Sequence, residues 1–358
     1  MIFTKRFLTI VLVLFVVEPI NGTLLSTQDL SLARCRQPLI LFSEYGPKDR
    51  EATFCLGFTG PIDLGIKGSS PRLSPAQDIL AYSRTHGPNR TYGKELFGYT
   101  SLYLYDFRTH NETTLLRDYG NILYYWARPL NQLLISAWKD RLGSYENDYP
   151  IHFLYDPSSH QLVQQDWPNG RVVGYLPWNR RFLLFDYPRV FSVSTDGKRD
   201  VQPVTFPHEP FTWGMVMSQG GEQIAYPYTC ERAENAWLEC IEVYEPQSGI
   251  SIKIGESSVP ASVNLMWPEM SKDGRYLAFL INDGQHLGIY DVAKRQFIFV
   301  ENMDESIGRS LYRWMDDADV LLILHVSSEK SYADNLFSFD TQSLQLTQLT
   351  NTPSSKGF

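Results

Sequence analysis

Short apolar strands, each preceded by a polar turn, recur along the chain from about residue 69 to 350. Ser74-Pro75-Ala76-Gln77-Asp78 leads into Ile79-Leu80-Ala81-Tyr82, and Pro129-Leu130-Asn131-Gln132 into Leu133-Leu134-Ile135. Pro177-Trp178-Asn179-Arg180-Arg181 precedes Phe182-Leu183-Leu184-Phe185, and Ser218-Gln219-Gly220-Gly221-Glu222 precedes Gln223-Ile224-Ala225-Tyr226. Ser271-Lys272-Asp273-Gly274 before Tyr276-Leu277-Ala278-Phe279, and Asp316-Asp317-Ala318-Asp319 before Val320-Leu321-Leu322-Ile323, complete the series. A second strand follows each of these and stops at an acidic or proline turn, as in Leu102–Asp106, Phe153–Pro157, Val243–Pro246, Gly288–Asp291 and Leu336–Asp340. The outermost stretches, such as Leu344–Leu349, alternate apolar and polar residues with the period of a half-exposed strand.

Taking Ala81, Ile135, Leu184, Ala225, Ala278 and Leu322 as equivalent puts neighbouring units 41 to 54 residues apart. Repeats of roughly 40–50 residues made of four strands are the blades of a β-propeller. One such sheet cannot bury both faces alone, so neighbours must stack around an axis. No sustained 3.6-residue periodicity follows the N-terminus, which removes helical solenoids. The expected fold is all-β, a β-propeller of four-stranded antiparallel blades. Six units are plain, and Leu39–Phe58 supplies a partial one, with Ile40 in register 41 residues before Ala81. Seven blades are therefore favoured, with six plus an N-terminal hairpin as the close alternative. No linker rich in Pro, Gly or Ser interrupts 23–358, which reads as a single domain.

These residues resemble the WD40-like propellers of the TolB type. In that family the repeat centres on Trp-Ser-Pro-Asp-Gly before an Ile-Ala-Phe strand and ends in a Tyr-Val-Tyr-Asp-like strand. Met270–Phe279 (MSKDGRYLAF) followed by Gly288-Ile289-Tyr290-Asp291 is the best match, and Arg72-Leu73-Ser74-Pro75 carries Leu73 where the family prefers Trp. Leu346–Thr350 is similar to the family's outer strand. The likeness is patchy, because the third unit lacks Ser-Pro-Asp-Gly and the second keeps only Pro129. It implies the fold and an extracytoplasmic setting, and it is nearly silent on activity.

Lys5 and Arg6 precede the apolar run Phe7–Val17, which Glu18-Pro19 ends. Residues 1–22 therefore read as a secretory signal, with an uncleaved N-terminal anchor as the alternative. Four cysteines fit the oxidising compartment this implies. Cys230 and Cys240 flank a polar segment between strand-like stretches and are expected to pair, leaving Cys35 with Cys55; buried reduced thiols are the alternative. Sequons stand at Asn21, Asn89 and Asn111.

A net charge of −8 without a basic run argues against nucleic acid. No Gly-x-Ser-x-Gly elbow is present, and no Ser-x-Asp-x-Gly-x-Thr-Trp box. The Asp-Gly pair at Asp196-Gly197 reads as a turn, and so does the Asp316, Asp317, Asp319 triplet. The seven histidines are scattered, so no metal centre, cofactor or catalytic residue is assigned. Trp126, Trp178, Trp213, Trp267 and Trp314 recur near the innermost strand, where they either pack between blades or line the axial channel as a stacking platform. Trp138 and Trp237 are expected in long loops joining second to third strands (84–99, 139–149 and 229–239). Those loops should share one rim and bind another extracytoplasmic protein. The rival reading is a carbohydrate or small ligand in the axial channel, with hydrolase or lyase activity.

Overall fold

In three of the repeats the polar turn is organised by a buried serine and a left-handed residue. Ser74 Oγ accepts the backbone N–H groups of Asp78 and Ile79 at 3.2 and 3.0 Å, while the Ser74 N–H donates to the Ile79 carbonyl. Ser218 with Gln223, and Ser271 with Tyr276, repeat this arrangement. Three residues after each serine φ turns positive: 59° at Gln77, 74° at Gly221 and 76° at Gly274. Glycine adopts that conformation without a Cβ clash, which is why the motif ends in Gly at two of the three. In three repeats an aspartate ending the third strand serves the next turn. Asp106, Asp156 and Asp340 accept the N–H two residues on at 2.7, 2.8 and 2.8 Å. His110, His160 and Leu344, four residues after them, again have positive φ. Most of the repeat's conserved-looking polar pattern thus shapes turns.

The computed structural model describes the chain apart from residues 1–34, 36–40, 47–49, 57–60, 93–94, 140–148, 187, 196–199, 211–213, 234–235, 256–264, 282–285, 300–310, 316–319, 327–333, 351–354 and 358. The N-terminal segment 1–22, Trp213, Asp196-Gly197 and the Asp316, Asp317, Asp319 triplet lie outside the described residues. Six four-stranded antiparallel sheets each use four consecutive strands: blade I (69–119), II (121–165), III (171–203), IV (216–254), V (265–299) and VI (311–348). They correspond to the six plain sequence units. A further four-stranded sheet joins distant parts of the chain. Ser355–Gly357 pairs with Leu41–Gly46, which pairs in turn with Arg50–Leu56 and then Pro61–Ile66. This sheet touches blade VI through Asp334–Asp340 and blade I through Ser69–Leu73. The architecture is an all-β propeller of four-stranded antiparallel blades.

The core lies between blades, because both faces of each sheet are covered. Within one strand, alternate residues go to different neighbours. Leu80 and Tyr82 pack towards the end-joining sheet, whereas Ala81 packs towards blade II. Phe182 and Leu184 meet blade II, while Leu183 and Phe185 meet blade IV. Double burial explains why second strands read as continuous apolar runs rather than alternating ones.

Both disulfides form as the sequence suggests, each with a Cα–Cα separation of 5.7 Å. Cys230 and Cys240 stand diagonally, because the register opposes Cys230 to Leu238 and Tyr228 to Cys240. Cys35 ties the incoming segment to Cys55, whose strand neighbours are Leu41 and Ile62. The expected loops at 84–99 and 229–239 are instead paired strands. Ile79–Tyr92 and Glu95–Asp106 form a hairpin paired as far as Tyr92 and Glu95, with a bulge between His86 and Arg90. Ile224–Ala233 and Ala236–Glu245 do the same to Ala233 and Ala236. Their alternating Tyr, Thr and Cys residues satisfy the backbone by cross-strand pairing, which a loop of this length could not do.

His152, buried in blade II, contacts Ser136 Oγ at 3.0 Å and lies 5.6 Å from the Trp167 ring. Burial pushes its pKa down to about 4 from the ordinary 6.5. The unfolded chain therefore takes up this proton first as pH falls. Its contribution is complete above about pH 6.5, disappears between there and about 4, and amounts to at most about 3 kcal/mol. Urea midpoints at pH 7.5 and 5 should diverge less in His152→Gln than in the parent. Separately, removing residues 351–358 should lower the melting temperature and promote self-association by baring the edge of Leu41–Gly46, read by calorimetry and size-exclusion chromatography.

Candidate functional site

Strands run in the same order from axis to rim in blades I to VI, so equivalent connections share a face. The tips joining second to third strands, and the links between blades, lie on what we term the hairpin face. The serine turns lie on the opposite, turn face. On the hairpin face stand the two extended hairpins. The second strand of blade I has 14 residues against six in blade III, extending roughly 25 Å further at about 3.3 Å per residue. Its root is fastened by Arg84, whose Nη1 donates to Glu112 Oε1 at 2.8 Å while the guanidinium lies 4.4 Å from the Tyr103 ring centre. Tyr82 also donates to Glu112, and His86 meets Asp118 at 2.7 Å.

The tryptophans divide into two groups. Trp126 and Trp314 are buried between blades, where their indole N–H groups donate to the carbonyls of Arg72 (3.1 Å) and Glu269 (2.8 Å) of the preceding inner strand. Two residues earlier, Tyr124 donates to the Ser70 carbonyl at 2.7 Å, and Tyr312 to the Trp267 carbonyl. The acceptors are also alike. Ser70 and Trp267 each precede a proline, each has positive φ (53° and 55°), and each sits at a register shift. A proline cannot donate to the ladder and is tolerated at such a bulge, which turns the carbonyls towards the next blade. Trp126 and Trp314 therefore pack between blades. Trp267 and Trp178 are 53% and 37% exposed. Trp267 stands on an inner strand near the hairpin face, and Trp178 in the turn joining the first and second strands of blade III on the turn face. Trp138 and Trp237 are in strands rather than loops, and the Trp237 side chain lies outside the described residues.

A groove of about 580 Å³ opens on the hairpin face between blades III and IV. Phe191, Val201, Pro203 and Phe206 supply its apolar wall, and Arg189 and Glu209 its charged edge. The link from blade III to IV is held across it by His208. That ring contacts Glu242 at 2.9 Å and stacks on Tyr228 with centres 4.5 Å apart. Glu242 is fully buried and also accepts from Tyr226. Leu123 and Tyr149, each 47% exposed, add apolar surface on the same face.

At the turn face the axial channel widens into a polar cavity of about 280 Å³. Tyr125, Arg128, Glu269, Lys272 and Arg313 line it, beside Trp126 and Trp314. Glu269 is reachable from the channel yet enclosed by five inner strands. Burial pushes its pKa up to about 7, against the pull of Arg72 and Arg171. Sequence reasoning passed over these charges. An acid and an arginine inside inner strands (Trp267-Pro268-Glu269 and Tyr312-Arg313-Trp314) were the available signal. Among the described residues no three His, Cys, Asp or Glu side chains converge on a metal-sized site.

Four-stranded blades stacked around a channel, with the two extended hairpins on one face, define a β-propeller. Neither a protein-family model nor a curated protein sequence matches the chain. Solved structures do match. The β-propeller domain of the trilobed protease from Pyrococcus furiosus superimposes with a TM-score of 0.58 at 13% identity, over 87% of this chain and 93% of that one. The periplasmic gluconolactonase PpgL of Pseudomonas aeruginosa gives 0.56 at 15% identity, over 88% and 97%. TolB from Acinetobacter baumannii also matches, at 0.46 and 16% identity, over 72% and 62%. At these identities the likeness is one of fold.

Trp126→Phe and Trp314→Phe each leave a main-chain carbonyl of the neighbouring blade without its donor. Each should cost about 1–3 kcal/mol by urea denaturation, adding in the double variant because the sites are far apart. Trp178→Phe, at an exposed turn, should stay within about 0.5 kcal/mol of the parent.

Proposed function

We propose that this is an exported β-propeller that binds a protein partner through its hairpin face. The observation that carries this reading is the gathering of binding features on that one face: two hairpins beyond the blades, the 580 Å³ groove, and exposed Trp267, Leu123 and Tyr149. Large amphipathic side chains on a rigid frame make effective anchors, since they bury much area for little lost conformational freedom. The fastened root of the blade I hairpin and the Cys230–Cys240 staple lower the entropy lost on docking. Export is supported by the two disulfides and by the Lys5–Val17 signal pattern. We read the end-joining sheet as the blade that closes the ring, seventh in number, since it touches both blade VI and blade I.

Capture from the native host with immobilised protein tests the reading. The partner should be retained by the parent and lost when residues 87–97 are replaced by an Asn-Gly turn. Trp267→Ala should weaken capture about tenfold or more. Equal capture by the shortened hairpin and by the parent would refute docking through this face.

A further inference from the structure

Partner docking on the hairpin face leaves the polar cavity at the other end of the channel without a use. Polar residues of three blades line that end: Tyr125 and Arg128 from II, Glu269 and Lys272 from V, and Arg313 from VI. In a chain of net charge −8, this is a concentration of cationic groups around one carboxyl. Arg72 and Arg171 act electrostatically on Glu269, and Arg171 Nη2 also donates to the Met215 carbonyl at 3.1 Å. Arg128, Lys272 and Arg313 lie at the cavity wall, where Glu269 is the one lining carboxylate among the described residues. Tyr125 lines it as well. The volume of 280 Å³ falls just below the roughly 300–1,000 Å³ of drug-sized pockets, and suits a small metabolite.

We propose that the turn-face end of the axial channel binds a small oxyanion-bearing molecule, a carboxylate or a phosphate, paired by Arg313, Lys272 and Arg128. Ring geometry suits the task. Arg313 comes from an inner strand and Arg128 and Lys272 from the turns that follow inner strands, so charges from separate blades converge without a dedicated loop. Field lines in a low-dielectric channel are focused, which strengthens attraction for a ligand of opposite sign.

Glu269 makes the binding proton-linked. Its neighbours are Arg72, Arg171, Arg313, Lys272 and the Tyr312 hydroxyl, which is itself bound to the Trp267 carbonyl. An incoming anion adds negative charge beside the carboxyl and favours its protonated form. Affinity should therefore be highest below pH 7 and fall as pH rises through that value.

This inference goes beyond partner docking and uses the opposite face, so either can fail alone. Trp126 and Trp314 line the same cavity and report on it. Inorganic phosphate and citrate should each be titrated into the full chain at pH 6 and 8, reading tryptophan fluorescence and heat; the tighter one identifies the anion class. Saturable binding, weakened about tenfold in Arg313→Gln, is expected. Glu269→Gln should keep binding but lose most of the difference between the two pH values. Lys272→Gln, in an exposed turn, supplies a second variant should Arg313→Gln fail to fold. Absence of saturation with both anions, or undiminished binding in the folded charge variants, would overturn the proposal.

Discussion

Two junctions of the propeller, between blades I and II and between V and VI, depend on hydrogen bonds that aromatic side chains of one inner strand donate to main-chain carbonyls of the strand before it. Tyr124 and Trp126 reach Ser70 and Arg72, and Tyr312 and Trp314 reach Trp267 and Glu269. Apolar packing between sheets is non-directional and would tolerate sliding. These bonds fix the height of one blade against the next. They also require the acceptor strand to be irregular, because a regular strand points its carbonyls along the sheet. The X-Pro bulges at Ser70-Pro71 and Trp267-Pro268 meet that requirement. A local departure from ideal geometry is what makes the long-range order possible.

The same irregularity shapes both candidate surfaces. At blade V the bulge that presents carbonyls to Tyr312 and Trp314 turns the Trp267 ring outward. Two residues further on, Glu269 gives its carbonyl to the blade contact and its carboxyl to the channel. Structure and recognition thus draw on different atoms of one residue. The two faces remain chemically distinct, since the hairpin face is apolar and aromatic while the channel mouth is cationic.

Much of the fold was legible in the sequence, because its signals are local. Ser218 and Ser271 with their following glycines specify a turn, and Leu102–Asp106 ends a strand with the residue that caps the next turn. The Cys230–Cys240 pairing was legible from proximity, and Cys35–Cys55 followed by exclusion. What escaped depends on which way a side chain faces. Trp126 and Trp267 occupy comparable stretches, yet one is sealed between blades and the other points outward, decided by a bulge that leaves only a proline as its trace. Polar residues at 84–99 looked like loop, but His86 and Arg84 are anchored at the base of a hairpin. Glu269 and Arg313 come together from separate blades, and no spacing along the chain encodes that convergence.

The pairing of Glu44 with Lys356 sets an order of events. Each of the six blades can form from residues close in sequence, whereas this pairing spans nearly the whole chain and closes late, because loop-closure entropy grows with length. Until then Leu41–Gly46 has a bare inner edge, in a sheet whose local disulfide between Cys35 and Cys55 can already be made. The crosslink therefore guards a half-built sheet during the interval in which the chain is most exposed to mispairing with other copies.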